Sequence, residues 1–113
     1  MNSFVKLTLN GKECKAVSNA LLPRLYRFHF GRDFIVDMKK LNDDYKRDGV
    51  DGVDTQIFES ITWLMLKQGG SDVGESVDDW LATINIFELY STMEKVLGLL
   101  NVSQKTTSKP KKN

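Results

Sequence analysis

Residues 23–41, PRLYRFHFGRDFIVDMKKL, read as two short amphipathic helices hinged at Gly31. Leu22, Leu25, Tyr26, His29 and Phe30 recur at i, i+3, i+4, i+7 and i+8, the spacing of one helix face. Pro23 fits only in a first turn, so the regular helix is expected to begin near Leu22, with Ser18 or Asn19 as its cap. Arg24 and Arg27 fall on the opposite side. Glycine is the residue that most readily takes the left-handed conformation ending a helix, which Gly31 is placed to do. Asp33 then caps a second helix whose apolar stripe is Phe34, Met38, Leu41 and Tyr45.

The pattern continues outward from this pair. Upstream, residues 4–17 alternate in hydrophobicity around Asn10-Gly11, a pair that tolerates the positive φ angles of a type I′ turn and so predicts a β-hairpin. That turn sets Leu9 opposite Lys12, Leu7 opposite Cys14 and Val5 opposite Ala16. Val5, Leu7, Cys14 and Ala16 then share the apolar face. A lone hairpin is barely stable in water, so this face must lie on the helices or pair with another chain. Downstream, residues 47–53 (RDGVDGV) form a polar loop. Asp54 caps a third helix in which Ile57, Phe58, Ile61, Trp63, Leu64, Met65 and Leu66 are apolar nearly all round, the mark of a central buried helix. Gly69-Gly70 stops it, and residues 70–76 read as a flexible link. Ser76 caps a short helix with Val77, Trp80, Leu81 and Ile84 inward. Asn85 followed by Glu88 has the form of a capping box. It opens a last helix with Ile86, Tyr90, Met93, Leu97 and Leu100 at 4,3,4,3 spacing, expected to pack on the third helix or to offer a stripe to a partner helix.

The expectation is an α+β, mainly α, single domain over residues 1–101. It comprises a hairpin at 4–17 packed on about five helices, near 20–30, 33–46, 54–68, 77–84 and 86–101. Residues 102–113 are polar and lysine-rich, and are read as a disordered tail. With 113 residues, 41% of them hydrophobic, the chain can bury one modest core. Its single cysteine, Cys14, admits no internal disulfide and fits a reducing compartment. No apolar run reaches the roughly 20 residues a membrane helix requires. The start, MNSFVKLTL, alternates and so has the pattern of neither a signal peptide nor a transit helix.

Net charge is +1, but the charges are segregated. Residues 1–42 hold eight Lys/Arg against three Asp/Glu, residues 43–94 three against twelve, and residues 95–113 five lysines and no acid. Such blocks are solvated faces, or fields through which copies of the chain or a long partner associate. The chemistry-bearing residues are few. A calcium loop starting at Asp44 would place Lys46 at position 3 and Thr55 at position 12, so the motif fails. His29, the one histidine, lies on an apolar stripe and reads as a core or rim residue. Trp63 and Trp80 read as core anchors. The acidic block disfavours DNA, and no helix carries a dense row for reading base edges. No catalytic group, cofactor or metal site is expected.

The order of parts resembles the tail assembly chaperones of long-tailed bacteriophages and prophages, particularly those of Gram-positive hosts. The residues that carry the likeness are Pro23, Tyr26, Arg27, Phe30-Gly31-Arg32-Asp33, Met38 to Leu41, Ile61-Thr62-Trp63 and Asp79-Trp80-Leu81. The resemblance implies a non-enzymatic factor of the host bacterial cytoplasm, absent from the mature virion. Such a factor binds and solubilises the tape measure protein and helps recruit tail tube protein, with self-association, no membrane and no cofactor. Tyr26, Arg27, Phe30 and Arg32 at the hinge, and Tyr90, Met93 and Leu97 on the last helix, are the candidate partner contacts. Lys105, Lys109, Lys111 and Lys112 are the candidate recruiting tail. Many family members are also made in a longer form through a programmed frameshift. Lys111-Lys112-Asn113 is compatible with the slippery heptamer A-AAA-AAC, which would make this the short form. Two alternatives stand beside this reading. One is a small cytosolic regulator binding nucleic acid through Arg24, Arg27, Arg32, Lys39 and Lys40. The other is a generic oligomeric adaptor.

Overall fold

The computed structural model describes residues 3–107. Strands β1 (Ser3–Leu9) and β2 (Lys12–Ser18) form an antiparallel hairpin. Helices α1 (Leu22–Phe30), α2 (Phe34–Asp48), α3 (Thr55–Gln68), α4 (Val77–Leu81), α5 (Ile86–Ser91) and α6 (Met93–Thr107) follow, with a 3₁₀ turn at Gly49–Gly52 after α2. The architecture is α+β, mainly α, with the hairpin packed on the helices. The hairpin register is the one the sequence demands: Leu9 pairs with Lys12, Leu7 with Cys14 and Val5 with Ala16. Asn10 (φ 53°) and Gly11 (φ 77°) supply the two left-handed residues of the type I′ turn.

Helix α3 is the axis of the core. Every residue from Ile61 to Leu66 is buried, together with Ile57 and Phe58. Strand β2, α1, α2 and α4 all pack around it. The last helices do not pack mainly on α3. They cover the hairpin instead, chiefly along β1. Leu7 and Leu9 thereby join Met93, Val96, Leu97 and Leu100 in the same apolar cluster.

The single helix expected over 86–101 is two. It breaks at Thr92, where the Thr92 hydroxyl donates to the Leu89 carbonyl (2.6 Å) and the Ser91 hydroxyl to the Glu88 carbonyl (2.8 Å). Hydroxyls bonded back onto the preceding turn compete with the helix ladder and bend it. The break takes Ile86 off the expected stripe, leaving it 60% exposed, while Met93, Leu97 and Leu100 stay buried. Helix α6 also continues to Thr107, into the segment read as tail. Residues 108–113 lie outside the described part. Helix α4 stops at Leu81, short of the expected 84.

Three other junctions differ from the simple reading. Neither Ser18 nor Asn19 is the formal cap of α1, since Ser18 belongs to β2 and the cap position is Leu21. Asn19 Oδ1 instead accepts from the Leu21 N–H (3.0 Å) and from Gln68 Nε2 (2.7 Å), joining the start of α1 to the end of α3. The link at 70–76 is anchored: Val73 is buried and its carbonyl accepts from Trp63 Nε1 at 3.0 Å. At α5 the capping box is shared with the hairpin. Asn85 caps the Phe87 and Glu88 N–H groups (2.9 and 3.1 Å), but the Glu88 carboxylate accepts from the backbone N–H of Asn10 rather than of Asn85. The Asn85 N–H goes to Asn10 Oδ1 (3.1 Å).

Gly69 ends α3 at φ −79°, which any residue can adopt. Its requirement is space, because a Cβ there would stand 2.0 Å from the Lys15 carbonyl oxygen of β2. Backbone against backbone cannot yield without separating α3 from the hairpin. Gly69→Ala is therefore expected to cost about 2–3 kcal/mol in urea unfolding, as overpacked cores do. Gly98, exposed in mid-α6 with nothing near its virtual Cβ, is the opposite case. Gly98→Ala should raise stability by about 0.5–1 kcal/mol in the same assay.

Candidate functional site at the α1–α2 hinge

The hinge is built by two local rules. Gly31 takes φ 67° and its N–H closes α1 on the Arg27 carbonyl. Asp33 then opens α2 by accepting the Val36 N–H at 3.1 Å. Three residues, Gly31 to Asp33, connect α1 to α2, and the two helices pack against each other. This places Asp37, on the core face of α2, against Tyr26 on the core face of α1.

Asp37 is 4% exposed and Tyr26 1%. The Tyr26 hydroxyl donates to Asp37 Oδ2 at 2.7 Å. Arg32, reaching in from the turn, donates Nε to Oδ2 (2.6 Å) and a terminal nitrogen to Oδ1 (3.0 Å). A buried carboxylate with a two-pronged guanidinium and a phenol is fully partnered, the condition under which a charge can be kept from water. The Arg32 hydrogen bonds hold the Asp37 carboxyl below its ordinary value, outweighing burial. Burial, reinforced by Asp37, pushes the Tyr26 phenol well up, so it stays a donor. Arg32 is raised in turn by Asp37. Two salt bridges on the next turns of α2, from Lys40 (2.8 Å) and Arg47 (3.1 Å), converge on Asp44 and lower its carboxyl.

Around this lock lies an aromatic edge. Tyr26 stacks at an angle on Phe30 (5.2 Å) and edge-on against Phe34 (5.6 Å). Phe30 and His29 both meet Trp63, at 6.0 and 5.3 Å, with the Lys67 ammonium over the same indole at 5.1 Å. Tyr26, Phe30 and Arg32 form one wall of an open cleft of about 310 Å³. Asp54, Ile57 and Glu59 of the α3 start and Val77 and Asp78 of α4 form the other. Among the described residues no group of three or more His, Cys, Asp or Glu side chains is placed to hold a metal. Among them, too, no helix is long and apolar enough to cross a membrane.

The candidate contacts divide sharply by exposure. Tyr26, Met93 and Leu97 are core residues of the monomer, closed to a partner in this conformation. Phe30 is half-buried, and Arg27 is exposed with an ion pair to Asp33 at 3.7 Å. Tyr90 is half-buried, packs on Phe58 and donates to Glu59 Oε2 at 3.0 Å, which links it to the cleft. The hinge set Tyr26, Phe30 and Arg32 is thus brought together, while Met93 and Leu97 lie under the hairpin. Lys105 falls in α6, and Lys109, Lys111 and Lys112 lie outside the described residues. His29 is exposed at the rim.

No family model, no curated protein and no solved structure matches the chain.

Two features escaped the sequence reading. Asp37 sits at the i+3 position of the stripe begun by Phe34, and a carboxylate on a core face signals a buried partner. The second is a set of apolar side chains pointing outward around the hinge and on α5: Phe28 is 79% exposed and Phe87 83%, with Ile35, Val36 and Ile86 also open. The adjacent pairs Ile35-Val36 and Ile86-Phe87 carried the signal, because both members of such a pair cannot fit the narrow buried stripe of a surface helix.

Removing Asp37 leaves the Tyr26 hydroxyl buried without its acceptor and Arg32 without its carboxylate. Because the Arg32 guanidinium is half in solvent, Asp37→Ala is expected to cost about 1–3 kcal/mol, chiefly from the orphaned phenol, and Tyr26→Phe about 1 kcal/mol, by chemical denaturation. The depressed Asp37 carboxyl stabilises the fold fully above its ordinary value of 3.8, and that contribution is lost as pH falls through the lower folded value. The acid limb of the stability–pH curve should therefore be shallower in Asp37→Asn than in the wild type.

Proposed function

We propose that this chain is a non-enzymatic tail assembly chaperone of a long-tailed phage or prophage. It binds and solubilises the tape measure protein in the host cytoplasm and helps recruit tail tube protein. The observation that carries the reading is the outward apolar display just described. Phe28 of α1 and Ile35 and Val36 of α2 flank the hinge, and Ile86 and Phe87 open α5. Large apolar side chains left in water on so small a domain suit a surface that covers something equally apolar. A tape measure protein is long and helical, with apolar faces that aggregate unless covered. Many small copies along a repetitive partner gain affinity through local concentration. The sequence resemblance, centred on the same hinge, supports the same reading.

The nucleic-acid alternative is weakened by the ion pairs. Of its five basic residues, Arg27 pairs with Asp33, Arg32 with Asp37, Lys39 with Asp43 and Lys40 with Asp44. A cation already facing a carboxylate releases fewer phosphate counterions on binding.

Co-expression with the tape measure protein of the same phage, followed by pull-down and light scattering, tests the proposal. A soluble complex holding several copies of this chain per partner is expected. The double variant Phe28→Ser/Phe87→Ser should lose capture yet unfold within about 0.5 kcal/mol of the wild type per site, because both side chains stand in water. A partner that stays insoluble beside unbound chain would refute the chaperone reading, and salt-dependent nucleic-acid binding would be the next assay.

A further inference from the structure

Asn10 is the only asparagine of this chain followed by glycine. Asparagine next to glycine is chemically fragile, because a glycine nitrogen has no neighbouring side chain to shield it. The Gly11 nitrogen attacks the Asn10 side-chain carbon Cγ. The Cγ–Nδ2 bond breaks, ammonia leaves, and a five-membered imide remains. Water then opens either imide bond, giving aspartate or, with one extra backbone methylene, isoaspartate. No enzyme or co-reactant beyond water is required. The attack does require the Asn10 amide to swing back over its own following peptide.

In the folded chain that swing is blocked, although Asn10 is open to solvent. Its Nδ2 donates to the Thr83 carbonyl at 2.5 Å, and its Oδ1 accepts from the Asn85 N–H at 3.1 Å. Its own N–H is held by the Glu88 carboxylate. Both ends of the side-chain amide and the backbone nitrogen are thus tied to the α4–α5 junction, more than 70 residues away in sequence. The left-handed φ of 53° further fixes the residue within its turn.

We propose that Asn10 is a spontaneous deamidation site, closed by folding and opened by unfolding, whose product cannot re-form the contact that closed it. The carboxylate product has no donor for the Thr83 carbonyl. It also brings a second negative charge to the start of α5, where Glu88 already sits. Isoaspartate, with its longer backbone, cannot keep the two-residue turn that sets the hairpin register. Unfolding therefore leaves a permanent covalent mark, and a marked chain returns to a weaker fold. This inference does not depend on the chaperone reading.

The test follows the full-length wild-type chain in mildly alkaline buffer, folded or in urea, with peptide mapping by mass spectrometry. A gain of one dalton at Asn10, with isoaspartate present, should accumulate at least about tenfold faster in urea, since protection follows the rarity of local opening. Equal rates in the two conditions, or faster conversion at another asparagine, would overturn the proposal. Asn10→Asp and Asn10→Gly then separate product charge from loss of side chain, since glycine keeps the positive φ. Asn10→Asp should melt about 4–8 °C below Asn10→Gly, the shift for roughly 1 kcal/mol in a domain of this size. Failure of Asn10→Asp to fold while Asn10→Gly folds would agree with that expectation. Equal melting of the two variants would overturn the proposed consequence.

Discussion

A helix that is apolar on nearly every side has to be covered on nearly every side, and α3 imposes that demand on the whole chain. Its run from Ile61 to Leu66 offers no face to water. Strand β2, α1, α2 and α4 are disposed around it accordingly, and the indole of Trp63 reaches out to fasten the α3–α4 connection. Close coverage requires close approach, which is why the carbonyl of Lys15 fits only against a glycine at position 69. Burial of this one helix is the term from which the other packing decisions follow.

The hinge between α1 and α2 solves a second problem. Two helices with modest apolar stripes must be held in place against α3. Apolar contact alone is non-directional and tolerates sliding. The Tyr26–Asp37–Arg32 cluster adds direction, because a carboxylate with three donors has one satisfactory position. It uses the core side of both helices, and Phe28, Ile35 and Val36 fall on the outward side as a consequence. The same rigid turn thus builds the cleft wall and displays the apolar surface on which the proposed chaperone function rests.

The parts legible in the sequence were those governed by local rules. Asn10-Gly11 fixed the hairpin register, Gly31 the end of α1, and Asp33, Asp54, Ser76 and Asn85 the starts of four helices, since a cap acts within three residues of itself. What was not legible was long-range pairing. Nothing near Glu88 in sequence shows that its partner is the Asn10 N–H, or that Met93 and Leu97 meet the hairpin rather than α3 or a partner helix. Periodicity gives the apolar face of a helix and is silent on what that face meets. The break at Thr92 was missed for a similar reason, because Ser and Thr hydroxyls bend a helix only when they turn back onto it. Of the candidate site, the hinge position was legible, but Asp37 and the exposed phenylalanines emerge only once burial is known.

The placement of α6 over β1 has a consequence for how the chain is made. The hairpin leaves the ribosome before the other described elements, and its cover is the last helix described. Until α6 emerges, Leu7 and Leu9 have no α6 against which to bury, and a two-stranded hairpin on its own is barely stable. Strand β2 can dock on α3 earlier in synthesis, but the β1 side of the hairpin waits for α6. A nascent chain stalled before Val96 would present an unsealed hairpin to the crowded interior of the cell, the kind of exposed edge that invites misassembly.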